Sequence, residues 1–352
     1  MPLLARMLTA PLTVEVRRGA IAQLGVLLAD SRVATSGRVA IAVGSGQGDR
    51  IVELISKTLD EAEVFHAPDG SVDAAVSLGA KLRKGAYEAL VGIGGGKTID
   101  VTKYAASLAG IPMVAVATNL SHDGICSPVS SLEHEGGKAS FGVPMPLAVL
   151  VDLDLVRAAP PRLVRSGVGD VISNLSAIED WHLGNIINGE PIDGLAVSMA
   201  RSSAEALLGR EDSIESEAFL TVLAESLILS GMSMVIAGSS RPSSGGDHEI
   251  LHAVDQLFPG TSNHGELAGL GAAFCFYLRD DQRHLRLVTE CLRRHGLPVT
   301  PPDLGLTTAQ FCRAVLRAPA TRPGRYTILE HLGLSESEIR ERVEDYSSSF
   351  AA

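Results

Sequence analysis

The sequence predicts an α/β N-terminal domain built on a parallel sheet, followed by an all-helical C-terminal domain. Three observations carry this. Short continuous apolar runs alternate with helix-like spacing through the first half, and uninterrupted apolar strands separated by helices belong to parallel sheets covered on both faces. Beyond about residue 155 strand-like runs become scarce, and the pair Pro160-Pro161 marks the change. The length of 352 residues suits two domains sharing a cleft and is long for one ordinary core.

The strands are read in order as Arg38–Gly44 (RVAIAVG), Glu88–Gly94 (EALVGIG), Pro112–Thr118 (PMVAVAT) and Leu147–Asp152 (LAVLVD). Asp49–Leu59 and Val72–Lys84 carry helical apolar spacing between them. This alternation is Rossmann-like, and ligands of such sheets bind beyond the carboxyl ends of the strands, where Gly44, Gly94 and Thr118 fall. The predicted domains are 1–155, binding a dinucleotide, and 156–352, helical and binding metal and substrate. In the second, Val164–His182, Ile192–Leu208, Ser213–Ala237, His248–Leu257 and Gly265–Leu278 read as helices. Several contain glycine, which weakens a helix but permits close packing or approach to a ligand. Gly238–Gly246 and Leu297–Leu306 are the linker candidates.

Composition narrows the function. At 45% hydrophobic and 20% charged residues the chain is globular. A net charge of −11, without a dense Lys/Arg run, argues against nucleic-acid binding. An anionic substrate would need a local cationic pocket. Cys126, Cys275, Cys291 and Cys312 form no C-x-x-C pair and read as reduced thiols of a cytoplasmic protein. The N-terminal MPLLARMLTAPLTVEV lacks the pattern of a signal peptide. The most apolar stretch, Ser226–Ile236, is shorter than the ~20 residues of a membrane span and reads as a buried helix.

Two constellations carry chemistry. Gly92-Ile93-Gly94-Gly95-Gly96-Lys97-Thr98-Ile99-Asp100 follows a strand and opens a helix, where glycines admit a pyrophosphate to backbone N–H groups. It is neither a Walker A loop, which needs glycine where Val91 stands, nor G-x-G-x-x-G, which needs glycine at Lys97. The second is Asp170, His248 and His264, each within two residues of glycine in Gly169-Asp170, Gly246-Asp247-His248 and His264-Gly265. Two imidazoles and a carboxylate leave positions open on a divalent ion for a substrate oxygen. His248-Glu249-Ile250-Leu251-His252 also matches H-E-x-x-H, the zinc-protease pattern. Against it, Asp255 and Phe258 stand where the longer protease pattern needs glycine and histidine, and a protease leaves the glycine loop unexplained. In the alternative, His248 binds metal and His252, one turn on, meets substrate.

These residues resemble the sn-glycerol-1-phosphate dehydrogenase family, within the iron-type alcohol dehydrogenase and dehydroquinate synthase-like superfamily. The resemblance runs from about Val39 to Glu344. It rests on GIGGGKTID at 92–100, SHDGICSP at 121–128, SGVGDVISNLSAIEDW at 166–181, AGSSRPSSGGDHEILHAVD at 237–255, HGE at 264–266 and RYTILEHL at 325–332. It implies that Gly95, Gly96, Lys97, Thr98 and Ile99 hold the cofactor pyrophosphate. Thr118, Asn119, Leu120, Ser121 and Ser127 would line the nicotinamide side. Asp123 and His252 would serve catalysis and, with Asp170, contact substrate, and Asp170, His248 and His264 would bind one divalent metal, zinc in most of the family. Asn119-Leu120, Gly246-Asp247 and the Gly44–Gly48 turn depart from the family pattern.

The implied activity is NAD(H)- or NADP(H)-dependent interconversion of dihydroxyacetone phosphate and sn-glycerol 1-phosphate, or a related polyol, in phospholipid metabolism. The metal would act as a Lewis acid while hydride passes between substrate carbon and nicotinamide. A substrate phosphate needs a cation, and Arg241 with Ser239, Ser240, Ser243 and Ser244 is the expected donor cluster. A homo-oligomer with no membrane span is expected. The alternative within the fold is a sugar-phosphate cyclase, a lyase. Such enzymes resemble one another in a glutamate first ligand and extra lysines, where this chain has Asp170 and no nearby lysine.

Overall fold

The computed structural model describes residues 9–35, 37–44, 48–55, 62–67, 69–135 and 137–350. In the first half, strands β1 (Thr13–Arg17), β2 (Arg38–Gly44), β3 (Glu63–Ala67), β4 (Tyr87–Gly94), β5 (Met113–Ala117) and β8 (Ala148–Asp152) form one parallel sheet in the order β1-β8-β5-β4-β2-β3. The other two strands, β6 (Val129–His134) and β7 (Gly137–Gly142), make a separate antiparallel hairpin. Helices α1 (Leu24–Leu28), α2 (Gly48–Ile55), α3 (Val72–Lys84) and α4 (Gly96–Ala109) lie between the sheet strands.

The predicted strands are apolar throughout because both sheet faces are covered. Ile41, Val43, Val91, Ile93, Val114 and Val116 pack with Leu24, Leu27 and Ile51 from α1 and α2. Their neighbours Ala40, Ala42, Leu90, Ala115 and Ala117 turn to the other face, as strand period requires. That face joins Leu78 and Leu82 of α3, Val101 and Ala105 of α4, and the core of the helical half in one continuous cluster. β1 and β3 at the sheet edges and the β6–β7 hairpin were not among the predicted strands, since their sequences mix polar and apolar residues. The predicted helix Asp49–Leu59 is helical over Gly48–Ile55, and residues 56–59 lie outside the described ones, as does most of the Gly44–Gly48 turn.

From residue 153 the described chain is helical: α5 (Leu153–Ala158), α6 (Pro161–Asn188), α7 (Gly194–Leu208), α8 (Glu217–Ala237), α9 (Gly246–Leu257), α10 (His264–Leu278), α11 (Gln282–Arg294), α12 (Thr308–Arg317), α13 (Ile328–Leu332) and α14 (Glu336–Phe350). Pro160 and Pro161 open α6, where proline costs no hydrogen bond. α8 is longer than the apolar stretch that announced it. At 21 residues it could cross a membrane by length and composition, but Phe219, Leu220, Leu223, Leu227 and Ile228 are buried in the core. The two predicted linkers are structured: Arg241–Ser243 and Pro301–Leu304 each form a 3-10 turn.

Glycine sets the spacing of the three helices that matter most. A Cβ on Gly265 of α10 would fall 1.7 Å from the Ser166 carbonyl oxygen of α6, and one on Gly169 would fall 2.1 Å from the Gly265 carbonyl oxygen. On the other side of α10, a Cβ on Gly271 would fall 2.7 Å from the Asp247 carbonyl oxygen of α9. α6, α10 and α9 therefore meet backbone against backbone. In a helix with open surroundings, Gly→Ala gains roughly 0.5–1 kcal/mol. Here Gly265→Ala should instead lower the unfolding free energy by about 1–3 kcal/mol in urea titration, the usual cost of overpacking. A stabilised variant would contradict the close crossing.

Candidate metal centre and nucleotide cleft

The crossing of α6, α9 and α10 brings together Asp170, in the middle of α6, His248, in the first turn of α9, and His264, the first residue of α10. His248 Nε2 lies 3.2 Å from His264 Nε2, and Asp170 Oδ1 lies 3.3 Å from His264 Nε2 and 3.9 Å from His248 Nε2. Tetrahedral ligation at metal–ligand distances of about 2.0–2.2 Å separates donor atoms by roughly 3.3–3.6 Å. Two of the three separations lie close to that range and the third, at 3.9 Å, is wider by a few tenths of an ångström, so the three residues form a group able to hold one divalent ion among the described residues.

The surrounding bonds orient each donor. Asp170 Oδ2 accepts the Asp123 N–H at 2.8 Å, which leaves Oδ1 for the imidazoles. His248 Nδ1 pairs with the fully buried carboxylate of Asp247, so the Nε2 lone pair faces the other two donors. Burial would raise the Asp170 carboxyl, but the His264 hydrogen bond and the nearby imidazoles hold it below its ordinary range. The reciprocal effect raises His264 against its own burial.

One cleft of about 250 Å3 is lined by His248 and His264 of the metal set and by the predicted residues Lys97, Asp123, Ser127 and His252. Burial and the Asp170 carboxylate push Asp123 up to about 7. Its Oδ2 accepts from Ser230 Oγ at 2.9 Å, and Ser230 in turn accepts from Asn174 Nδ2 at 3.0 Å. His252 stands outside the metal set, with Nε2 2.8 Å from Arg322 Nη2. Burial and that guanidinium push its imidazole well below the usual range. Glu249, the base of the protease pattern, is fully buried and faces Thr327, whose hydroxyl donates to Oε2 at 3.0 Å. Burial and neighbouring carboxylates raise it to about 9. The H-E-x-x-H spacing therefore builds no zincin-type site.

A second cleft, of about 230 Å3, runs along the carboxyl ends of the strands past Gly44, Gly94, Gly95, Thr98, Thr118 and Asn119. The glycine turn separates the two clefts, with Gly96 opening α4. Asn119 Oδ1 is buried there without a hydrogen-bond partner, and its Nδ2 sits where a Gly95 Cβ would be. An unanswered acceptor beside orphan helix N–H groups fits a dinucleotide. Lys97 is largely exposed and pairs with Glu133 at 3.3 Å. Two predicted cofactor residues stand apart: the side chains of Ile99 and Leu120 lie entirely in the core. Ser121 offers its carbonyl to the Ser166 hydroxyl at 2.9 Å.

Arg241 is the main correction. Its guanidinium is buried, grips both carboxylate oxygens of Glu190 and donates to the Tyr326 carbonyl. That leaves it committed behind the serines it was expected to join. The cation beside those serines is Arg322, which donates to Ser240 Oγ at 3.1 Å and lines the cleft with Ser240, Ser243 and Ser244. Arg325 adds a second bond to Ser240 Oγ at 2.9 Å, and burial with the adjoining guanidiniums pushes Arg325 down to about 10. This is the local cationic pocket that an acidic chain needs for an anion. Arg322 and Arg325 sit in an aperiodic segment, so no spacing in the sequence exposed them. Asp247 was visible only as an unusual residue before His248.

Comparison with known proteins gives the family. The family described as iron-containing alcohol dehydrogenase matches residues 15–160. The glycerol-1-phosphate dehydrogenase (NAD(P)+) of Methanospirillum hungatei is 35% identical over 95% of this chain and 92% of its own length. The chain belongs to the glycerol-1-phosphate dehydrogenase family. The enzyme of that name from Hyperthermus butylicus is 39% identical over 84% of both chains. Among solved structures, a probable glycerol dehydrogenase from Sinorhizobium meliloti superposes with a TM-score of 0.80 at 22% identity, covering 98% of each chain. The glycerol dehydrogenase of Schizosaccharomyces pombe gives a TM-score of 0.75 at 21% identity over 98% and 91%. At such identities these two establish the shared fold.

Asp247 gives the candidate metal centre a testable support. Asp247→Ala should weaken zinc binding about 10–100-fold in competition with a chromogenic chelator, because His248 loses the partner that fixes its tautomer. Unchanged affinity would remove Asp247 from the metal centre.

Proposed function

We propose that this chain is a divalent-metal-dependent, NAD(P)-linked glycerol-1-phosphate dehydrogenase that interconverts dihydroxyacetone phosphate and sn-glycerol 1-phosphate. The observation that carries the reading is the meeting of Asp170, His248 and His264 in one group, with His248 and His264 lining the same cleft as Lys97 of the glycine loop, in a chain of this family. The donor set of two imidazoles and one carboxylate favours zinc. When bound, the ion supplies Lewis acidity at a substrate oxygen and the nicotinamide exchanges a hydride.

The protein's own residues do the rest. Asp170, His248 and His264 hold the ion, while Gly95, Gly96, Lys97 and Thr98 seat the dinucleotide diphosphate at the N-terminus of α4. Thr118, Asn119 and Ser127 border the cofactor. His252 accepts from Arg322 through Nε2, so its proton sits on Nδ1 as a donor for a substrate hydroxyl or carbonyl. Asp123, raised to about 7, can hold or release a proton near neutral pH. Ser230 and Asn174 fix its carboxyl. Arg322 with Ser240, Ser243 and Ser244 takes the phosphate role expected of Arg241. In this division, residues 1–155 serve the dinucleotide and 156–352 the metal and substrate, with Asp123 reaching across.

The reading is tested by following NADH and NADPH oxidation with dihydroxyacetone phosphate and with dihydroxyacetone, in zinc-loaded and chelated protein. Turnover should require the metal and favour the phosphorylated ketone. Arg322→Ala should raise KM for that ketone about 10–100-fold, the worth of a charge-assisted contact, and erase the preference. Equal use of both ketones by the wild type would contradict phosphate recognition. Turnover without net NAD(P)H consumption would point to cyclase chemistry instead. His264→Ala should lose both bound metal and activity.

A further inference from the structure

His122 lies between the glycine turn and the metal set, and its ring orientation is fixed by the backbone. The Gly124 N–H points at His122 Nδ1 from 3.0 Å. An amide can only donate, so Nδ1 presents its lone pair and the ring proton is carried by Nε2. That Nε2 rests on Gly96, where an added Cβ would fall 2.0 Å from it. Gly96 is the first residue of α4, the end of the helix whose N–H groups attract an anion. On its other side the ring stands 5.6 Å, centroid to centroid, from His264. His122 also lines the cleft, and its hydrogen bond among the described residues is made through Nδ1. A proton on Nε2 is thus presented between the seat of a diphosphate and the metal set.

We propose that His122 is a cofactor-contacting residue, its Nε2–H donating to an oxygen of the nicotinamide-side phosphate or ribose of the dinucleotide. This rests on the redox reading above. The nicotinamide half is indicated because the ring adjoins His264, whereas the second cleft, past Gly44 and Asn119, is lined by no member of the metal set. It also assigns a reason to glycine at 96: any side chain there would displace the imidazole from the turn.

The test uses His122→Asn, whose amide oxygen can still accept the Gly124 N–H but which has no donor at the Nε2 position. Binding of NADH, reduced nicotinamide mononucleotide and 5′-AMP is followed by fluorescence or calorimetry in zinc-loaded protein, with zinc content and Tm measured alongside. The variant should bind NADH and the mononucleotide about tenfold more weakly, with 5′-AMP affinity and zinc content unchanged. Wild-type NADH affinity in the variant overturns the inference, as does an equal loss for 5′-AMP, which would signal a distorted turn. Failure of the wild-type chain to bind either NADH or NADPH would overturn the redox reading and this inference with it. Histidine 15N spectra of the wild type provide a check that needs no variant. Nδ1 should be unprotonated and the Nε2 signal should move on adding NADH, while an Nδ1–H tautomer overturns the proposal.

Discussion

The backbones of α6 and α10 touch, and the candidate centre depends on that contact. Gly169 and Gly265 remove the side chains that would hold the two helices at ordinary separation, so Asp170 on one and His264 on the other come within 3.3 Å. Gly271 repeats the arrangement between α10 and α9, which carries His248. Helices separated by ordinary side chains pack about 8–10 Å apart. Ligands placed on three such helices would need long, mobile side chains to meet. Here an aspartate and two histidines meet from short tethers, and their geometry is fixed by helix packing. The cost is conformational: glycine weakens each helix, and the apolar core around the crossing offsets it.

The same closeness makes the centre electrostatically tense. A buried carboxylate is expensive unless answered by charge or hydrogen bonds. Asp170 is answered by two imidazoles and the Asp123 amide, and Asp247 by His248. A divalent ion would replace the imidazole protons as the balancing charge. Away from the ion, a cationic wall of Arg322 and Arg325 converges on Ser240. An overall acidic chain can therefore admit an anionic substrate through one basic corner of the cleft.

Strands β2, β4, β5 and β8 were legible in the sequence because burial on both faces makes them apolar throughout. The edge strands β1 and β3 and the β6–β7 hairpin are exposed on one side or more, and their mixed composition resembles that of loops. The candidate metal ligands were legible as polar residues close to glycine. The structure supplies a physical reason at two of them, since Gly169 and Gly265, beside Asp170 and His264, are the contacts between α6 and α10. The basic corner was not legible. Arg241 and Arg322 both lie near serines in the sequence or in space, and only the fold shows that Glu190 claims the first and leaves the second facing the cleft. Ile99 and Leu120 sit inside motif segments of the family, yet their side chains serve the core.

The central claim is that three packed helices hold one divalent ion through two imidazole nitrogens and one carboxylate oxygen. X-ray absorption on protein reconstituted with one equivalent of zinc tests it most directly. The account predicts a shell of nitrogen and oxygen near 2.0–2.2 Å, with outer scattering from two imidazoles. Sulfur in the shell, scattering from three or more imidazoles, or loosely held zinc with water alone would contradict it.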